Sequence, residues 1–179
     1  MPAPYTIFDC AEQLGELEHR FLFDPQKEII VIPWLGRSGI HHISFQVEET
    51  GQHRTLACVV HGIDASEHLS PATAEAVLAL NHSWLLGALG RSPDDGLICY
   101  RSALPIDGGT PTLDMLRRVV CTAGACIDEA TAVLRAMRYG GVAFEEALSL
   151  ARESDDQEVQ ALPTAEAPEE DEGPSDIAL

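Results

Sequence analysis

Residues 70–109 constrain the fold more than any other stretch, because their start, turn and stop signals are the clearest in the sequence. Ser70 and Pro71 predict a helix start, since serine caps free backbone N–H groups and proline suits the first turn. Gly87 predicts the end of that helix. A turn rich in Pro, Asp and Gly at 92–96 then predicts a β-hairpin. A helix that leads into an antiparallel strand pair indicates the α+β class.

The helix that starts at Pro71 has a predicted apolar face that contains one amide. We expect that face to carry Ala74, Val77, Leu78, Asn81, Trp84 and Leu85. We interpret Asn81 as a hydrogen-bonded buried amide at the edge of the sheet, in preference to a ligand contact. In the second hairpin strand, Arg101 shares a face with Leu97 and Cys99, and Tyr100 points to the other face.

Periodicity predicts one helix and three strands in the N-terminal third. Apolar residues recur at helical spacing over 6–22, and Asp24-Pro25 ends that helix. The strands are predicted at 28–34, 40–48 and 54–62, and the short loops between them indicate an antiparallel meander. The third run is apolar almost throughout, which predicts a central strand covered on both faces.

A long helix with an uninterrupted apolar seam is predicted after Pro111. The seam follows alternating spacings of three and four, through Leu113, Leu116, Val120, Ala123, Ile127, Ala130, Leu134 and Met137. Such a seam either covers the protein's own sheet or forms a coiled-coil dimer, and we favour the sheet. Further apolar residues beside the seam suggest burial against two surfaces, the sheet and a second subunit. A last helix is predicted at 142–152.

Acidic residues are concentrated towards residue 179. The 179 residues have a net charge of −18, and 151–179 contain 10 acids and one arginine. Composition therefore predicts a domain at 1–153 and a disordered acidic tail at 154–179. This charge argues against direct nucleic-acid binding, which relies on Lys and Arg to neutralise phosphates. We expect the tail to act as a solubiliser, or to contact a basic nucleic-acid-binding protein as a client.

No motif in the sequence indicates catalysis or metal binding. The five cysteines lack CxxC spacing, and the seven histidines lack the paired spacing of a zinc site. The turn at 36–39 contains a serine but is too short for the nucleophile motif of a serine hydrolase. We therefore predict no cofactor, no metal site and no enzymatic activity. Buried reduced cysteines, together with the lack of a signal peptide or a membrane-spanning run, predict a cytoplasmic protein.

Two motifs resemble those of the YbjN-like family, whose members are similar in fold to type III secretion chaperones. They are L-x-L-N-H-S-W at 78–84 and I-C-Y-R-S-A-L-P-I at 98–106. The resemblance covers about residues 5–150, and its matching positions are Asn81, Tyr100, Arg101, Leu104 and Pro105. It implies a dimeric α+β sandwich with helices on an antiparallel sheet of about five strands, a three-strand meander plus a hairpin. The element order predicted from the sequence, α-β-β-β-α-β-β-α, supports the same resemblance, which implies no catalytic residues.

Two functions are therefore expected, and they differ in class. The first is a non-enzymatic, chaperone-like adaptor or regulatory protein that binds protein partners as a homodimer, with Asn81, Tyr100 and Arg101 as partner-binding or structural positions. Leu113, Leu116, Val120, Ile127 and Leu134 would then form a dimer seam or a helix-packing seam. The alternative is a small ligand-binding or enzymatic domain with an anion-binding pocket near Arg101. We favour an ion pair for Arg101 over that pocket.

Overall fold

A computed structural model describes residues 4–17, 20–63, 70–92 and 95–161, with backbone alone at 62–63 and 154–161. Within these ranges the chain forms four helices and six strands. In chain order they are α1 (Ile7–Glu16), β1 (Leu22–Asp24), β2 (Ile29–Gly36), β3 (Gly39–Thr50), β4 (His53–Ile63), α2 (Pro71–Ser83), β5 (Ala88–Arg91), β6 (Ile98–Pro105), α3 (Leu113–Gly140) and α4 (Phe144–Ala161).

The six strands form one antiparallel sheet in the order β1-β2-β3-β4-β6-β5. The predicted α+β class is confirmed. The expected number of about five strands was one too few, because β1 was read as the end of a helix over 6–22. In the structure α1 ends at Glu16, and Leu22 pairs with Val31 at the edge of the sheet.

α1, α2 and α3 pack on one face of the sheet, and α4 packs on α3. Ile43, Phe45 and Val60 point into the core that this face shares with the helices, and each is fully buried. Alternate residues such as Val59 and His61 point to the opposite face, which no described helix covers. The prediction that β4 is covered on both faces was therefore wrong. Its apolar residues on the uncovered face are small, and the sheet itself shields Ala57 completely.

The buried face of α2 differs from the predicted one. Ala76 and Leu80 are buried, whereas Leu78 is 68% exposed. Leu85 is 100% exposed because α2 ends at Ser83, before that residue. The helix is rich in alanine, so its sequence carries two overlapping apolar faces, and the face that contains Ala76 and Leu80 is the buried one.

The seam of α3 lies inside the core of a single chain. Leu116, Val120 and Ile127 are 0% exposed, Leu134 is 6% exposed and Leu113 is half-buried. The four buried side chains pack against the sheet. They are therefore unavailable for a seam between two copies, and the helix-packing interpretation describes their environment.

The last helix, α4, returns along α3 in the antiparallel direction. Ala147 and Ala151 pack against Val133, and further along α4 Arg152 donates to Glu129 at 3.1 Å. Helical backbone continues to Ala161, so α4 overlaps the start of the segment predicted as a tail. The remainder of that segment, 162–179, lies outside the described residues.

All five cysteines are free, as the sequence predicts, but they differ in burial. Cys10, Cys58 and Cys126 are buried, Cys99 is half-buried and Cys121 is exposed on α3. Burial raises the pKa of the Cys58 thiol to about 12 and that of the Cys10 thiol to about 11. None of the described helices carries an apolar stretch long enough to cross a membrane.

Candidate functional site

An open groove runs between the N-terminal half of α3 and the outer edge of β6. We call it the edge groove. Its volume is about 460 Å³, and its lining consists of Leu86, Gly87, Ala88, Tyr100, Arg101, Ser102, Ala103, Leu104, Met115, Arg118, Val119 and Thr122. The lining is mainly apolar, with an arginine on each wall.

The edge groove exists because β5 is shorter than β6. Residues Ala88–Arg91 pair only with Ile98–Arg101, so no described strand pairs with the outer edge of 102–105. The hydroxyl oxygen of Ser102 is buried there and has no hydrogen-bond partner among the described residues. An unpaired strand edge is a template for a further strand, since its backbone groups are free to bond.

Apolar side chains line the floor of the groove, and arginines border it. Met115 is 40% exposed and Leu86 is 53% exposed, although both are large and apolar. Arg101 pairs with Glu48, and Arg118 pairs with Asp114 at 2.8 Å. Both ion pairs are solvent-exposed, so each contributes at most about 1 kcal/mol and its arginine is free to change partners.

Asn81 and Tyr100 hold the loop that forms the upper end of the groove. The Asn81 amide donates to Leu89 O at 3.0 Å and accepts from Leu89 N at 2.7 Å, so it replaces a neighbouring strand at the edge. The Tyr100 hydroxyl donates to Leu86 O at 2.8 Å. Gly87 has φ +70°, and a Cβ there would lie 2.3 Å from the Tyr100 hydroxyl. The geometry matches the structural interpretation of Asn81, and a partner-binding role for it remains a prediction.

Burial supports the same structural interpretation of Tyr100. The side chain is 1% exposed and lies edge-on to Trp84 at a ring separation of 5.9 Å. Burial raises the pKa of Tyr100 to about 12. The phenol is therefore a neutral hydrogen-bond donor at physiological pH.

Arg101 points away from the helices, onto the uncovered face of the sheet. It pairs there with Glu48, which is the environment that we favoured from sequence. Around it lies a second, shallow depression of about 710 Å³, whose polar lining includes Gln46, His61 and Arg91. Arg101 thus stands between the depression and the edge groove and lines both.

A buried polar cluster at the other end of α3 was missed by sequence reasoning. Asp128 accepts hydrogen bonds from the backbone N–H groups of Arg37 at 3.0 Å and Ser38 at 2.7 Å. The Ser38 hydroxyl also donates to Asp128, and His41 Nε2 lies 2.9 Å from that hydroxyl. Arg135 donates to Ser38 O at 2.6 Å. We call this set the turn clasp, because it ties the β2–β3 turn to α3.

The turn clasp contains Ser, His and Asp but lacks the geometry of a hydrolase triad. Ser38 and Asp128 both face the same ring atom, His41 Nε2, and the serine proton goes to the aspartate instead of the histidine. Burial raises the pKa of Asp128, but the hydrogen bonds from Ser38 and Arg37 outweigh burial and hold that pKa below its usual value. No local motif could have revealed the clasp, since Ser38 and Asp128 are far apart in the chain.

The histidines include one pair that the sequence did not suggest. His42 and His61 are opposite each other in the β3–β4 register. Within the described residues, however, no group of three His, Cys, Asp or Glu side chains is arranged to hold a metal ion.

Comparisons with known proteins support the fold. No family model matches the chain, and no curated protein matches it significantly. Among solved structures, the crystal structure of YbjN from E. coli, described as a candidate transcription regulator, is similar with a TM-score of 0.50. The two chains are 14% identical, and the match covers 76% of this chain and 94% of YbjN. At that identity the likeness establishes a YbjN-like fold.

Proposed function

We propose that the protein is a non-enzymatic, chaperone-like adaptor that binds an extended segment of a partner protein in the edge groove. The observation that carries this proposal is the unpaired edge of β6 beside an apolar floor. An added strand would bond to that edge, and its side chains would alternate between the floor and solvent. The E. coli YbjN structure, which has a similar fold, is described as that of a candidate transcription regulator, and this description is consistent with such a role.

A photo-crosslinking experiment tests the groove. With a photoreactive side chain at Val119, we expect specific partner capture from cells. Val119→Arg should abolish binding of that purified partner, because it places a charge on the apolar wall. Leu78→Arg is the matched control, since Leu78 is also apolar but is 68% exposed outside the groove. Equal binding by both variants would refute the proposal.

We further propose that the adaptor is a homodimer, with the uncovered face of the sheet between the two copies. Leu35 and Ile40 are direct neighbours across β2 and β3, and they are 82% and 66% exposed. Light scattering should give a dimer for the wild type and a monomer for Leu35→Glu combined with Ile40→Glu. A wild-type monomer at micromolar concentration would contradict this part of the proposal.

An acidic adaptor with this fold would reach nucleic acid through a basic partner instead of directly. The net charge of −18 opposes contact with phosphates. We therefore propose a basic nucleic-acid-binding protein as one class of client. Its binding should weaken as salt rises, because attraction between exposed charges is screened within about 8 Å at physiological salt.

The depression around Arg101 favours a second candidate function, the binding of a small anion. The size and the polar lining of the depression fit a ligand site. The ion pair with Glu48, which already satisfies the Arg101 guanidinium, argues against this candidate. Thermal-shift titrations with millimolar phosphate and citrate test this candidate. Stabilisation that is lost in Arg101→Ala would support it, and an unchanged melting temperature would exclude those ligands.

A further inference from the structure

We propose that residues 162–179 of this chain dock in its own edge groove and compete there with the partner segment. This inference rests on the proposed function of the groove and adds a regulation of that site. The occupant is a segment of the same chain, and three features of the described residues point to it.

The first feature is the direction of α4. Along α4 the contacts move from Ala147 beside Val133 to Arg152 beside Glu129, so the helix runs towards the N-terminal half of α3. From Arg152 to Ala161 the helix advances about 14 Å. The groove residues of α3, at 115–122, lie about 11 to 21 Å from Glu129 along the same axis. For antiparallel helix axes, this rise places the end of α4 level with the groove.

The second feature is a shared stripe on α3. At 100° per residue, Met115, Val119 and Thr122 lie within about 40° of Val133 around the helix axis. The stripe is covered by α4 at Val133 and is open where it forms the wall of the groove. A chain that continues from α4 would thus extend an existing contact surface.

The third feature is chemical complementarity. Residues 162–179 contain six acids and no Lys or Arg, and they include Asp176-Ile177-Ala178-Leu179. In an extended strand Ile177 and Leu179 point to the same side, which suits the apolar floor. Asp176 would lie near the rim, where Arg101 and Arg118 are exposed.

The segment is long enough for this contact. About 16 residues separate Ala161 from Ile177, and a flexible chain of that length has a root-mean-square extension of about 22 Å. A tethered segment has an effective concentration of the order of 1 mM, so a dissociation constant of about 0.5 mM would fill the groove about two-thirds of the time. Met115 would then be protected about threefold.

Oxidation of Met115 by dilute peroxide, read by mass spectrometry in the full chain, tests the inference. We expect Met115 to oxidise about threefold faster when Ile177→Asp and Leu179→Asp are combined, because the apolar contact is lost. Ala165→Asp with Ala167→Asp is the matched control, with the same added charge and spacing, and it should resemble the wild type. Met137 is partly buried away from the groove and is the internal reference.

Equal Met115 rates in all three proteins would overturn the inference. Protection that rises with protein concentration would also overturn it, because the segment would then occupy the groove of a second copy. The proposed function is judged separately by the Val119→Arg binding result. If Val119→Arg abolishes partner binding while the Met115 rates are equal, only the docking of 162–179 fails.

Discussion

The C-terminal half of α3 is held by buried charge and by a second helix, whereas its N-terminal half forms one wall of an open groove. In the C-terminal half, Asp128 accepts hydrogen bonds from the β2–β3 turn, and α4 covers the adjoining stripe of α3. In the N-terminal half, Met115 and Val119 face the unpaired edge of β6. Both ends share the same buried seam against the sheet, so the groove can remain open without a defect in the core.

The largest effect should come from removing the turn clasp. We expect Asp128→Ala to lower the free energy of unfolding by about 3 kcal/mol, because several partly buried donors lose their acceptor. Asp114→Ala is the control at the open end, where the carboxylate forms an exposed ion pair, and it should cost less than about 1 kcal/mol. Urea unfolding measures the stability of both variants. Similar losses of stability in the two would show that the two halves of α3 are held equally strongly.

A smaller effect is expected at the loop above the groove. Asn81→Ala should cost about 2 kcal/mol, because both backbone groups of Leu89 lose the side-chain amide. The neighbouring exposed residue gives the control, since His82→Ala should change stability by less than about 0.5 kcal/mol. Hydrogen exchange should show faster opening of β5 in Asn81→Ala alone. A stable Asn81→Ala variant would show that water replaces the amide.

The turn clasp should also weaken in acid. The folded pKa of Asp128 is lowered, so its contribution to stability is fully present above the unfolded value of 3.8 and is lost as pH falls through the folded pKa. Unfolding by urea at a series of pH values from 5 to about 2 should show this loss in the wild type. Asp128→Asn should flatten that part of the profile. An unchanged profile would assign the acid sensitivity to other carboxylates.

The smallest effect on stability is expected in the groove. Val119→Arg should lower the free energy of unfolding by about 1 kcal/mol, because the half-buried side chain packs against the core but a long arginine can extend into solvent. Urea unfolding of this variant beside Leu78→Arg checks the expectation. A large loss would mean that Val119 supports the core and that its binding phenotype is indirect.

Local patterns predicted much of the fold because they depend on neighbouring residues. The alternation at Ile43 and Phe45, and the opposite faces of Tyr100 and Arg101, follow from the two-residue period of a strand. The seam of α3 follows from helical spacing. The helical pattern continued through Phe21, and Asp24, the third residue of β1, was taken as the helix breaker because it precedes Pro25.

The candidate site depends on contacts that no local pattern carries. The edge groove arises because β5 is shorter than β6. The sequence did not show that residues 102–105 of β6 would have no neighbouring strand at their outer edge. The turn clasp joins Ser38 to Asp128, which are 90 residues apart in the chain. Sequence reasoning did identify Asn81, because a polar residue within an apolar stripe requires a partner. Tyr100 was identified through the resemblance to the YbjN-like family.

Both tryptophans lie beside the middle of α3 and line one depression together with Asp128. Trp34 lies against Gly124 near the turn clasp, where a Cβ would be 2.3 Å from the indole. Trp84 donates to Glu129 at 3.0 Å and contacts Tyr100 below the groove loop. Since the chain has no other tryptophan, Trp34→Phe and Trp84→Phe each leave one emitter. The emission of Trp34 would then report on the β2–β3 turn, and the emission of Trp84 would report on the contact of the groove loop with α3.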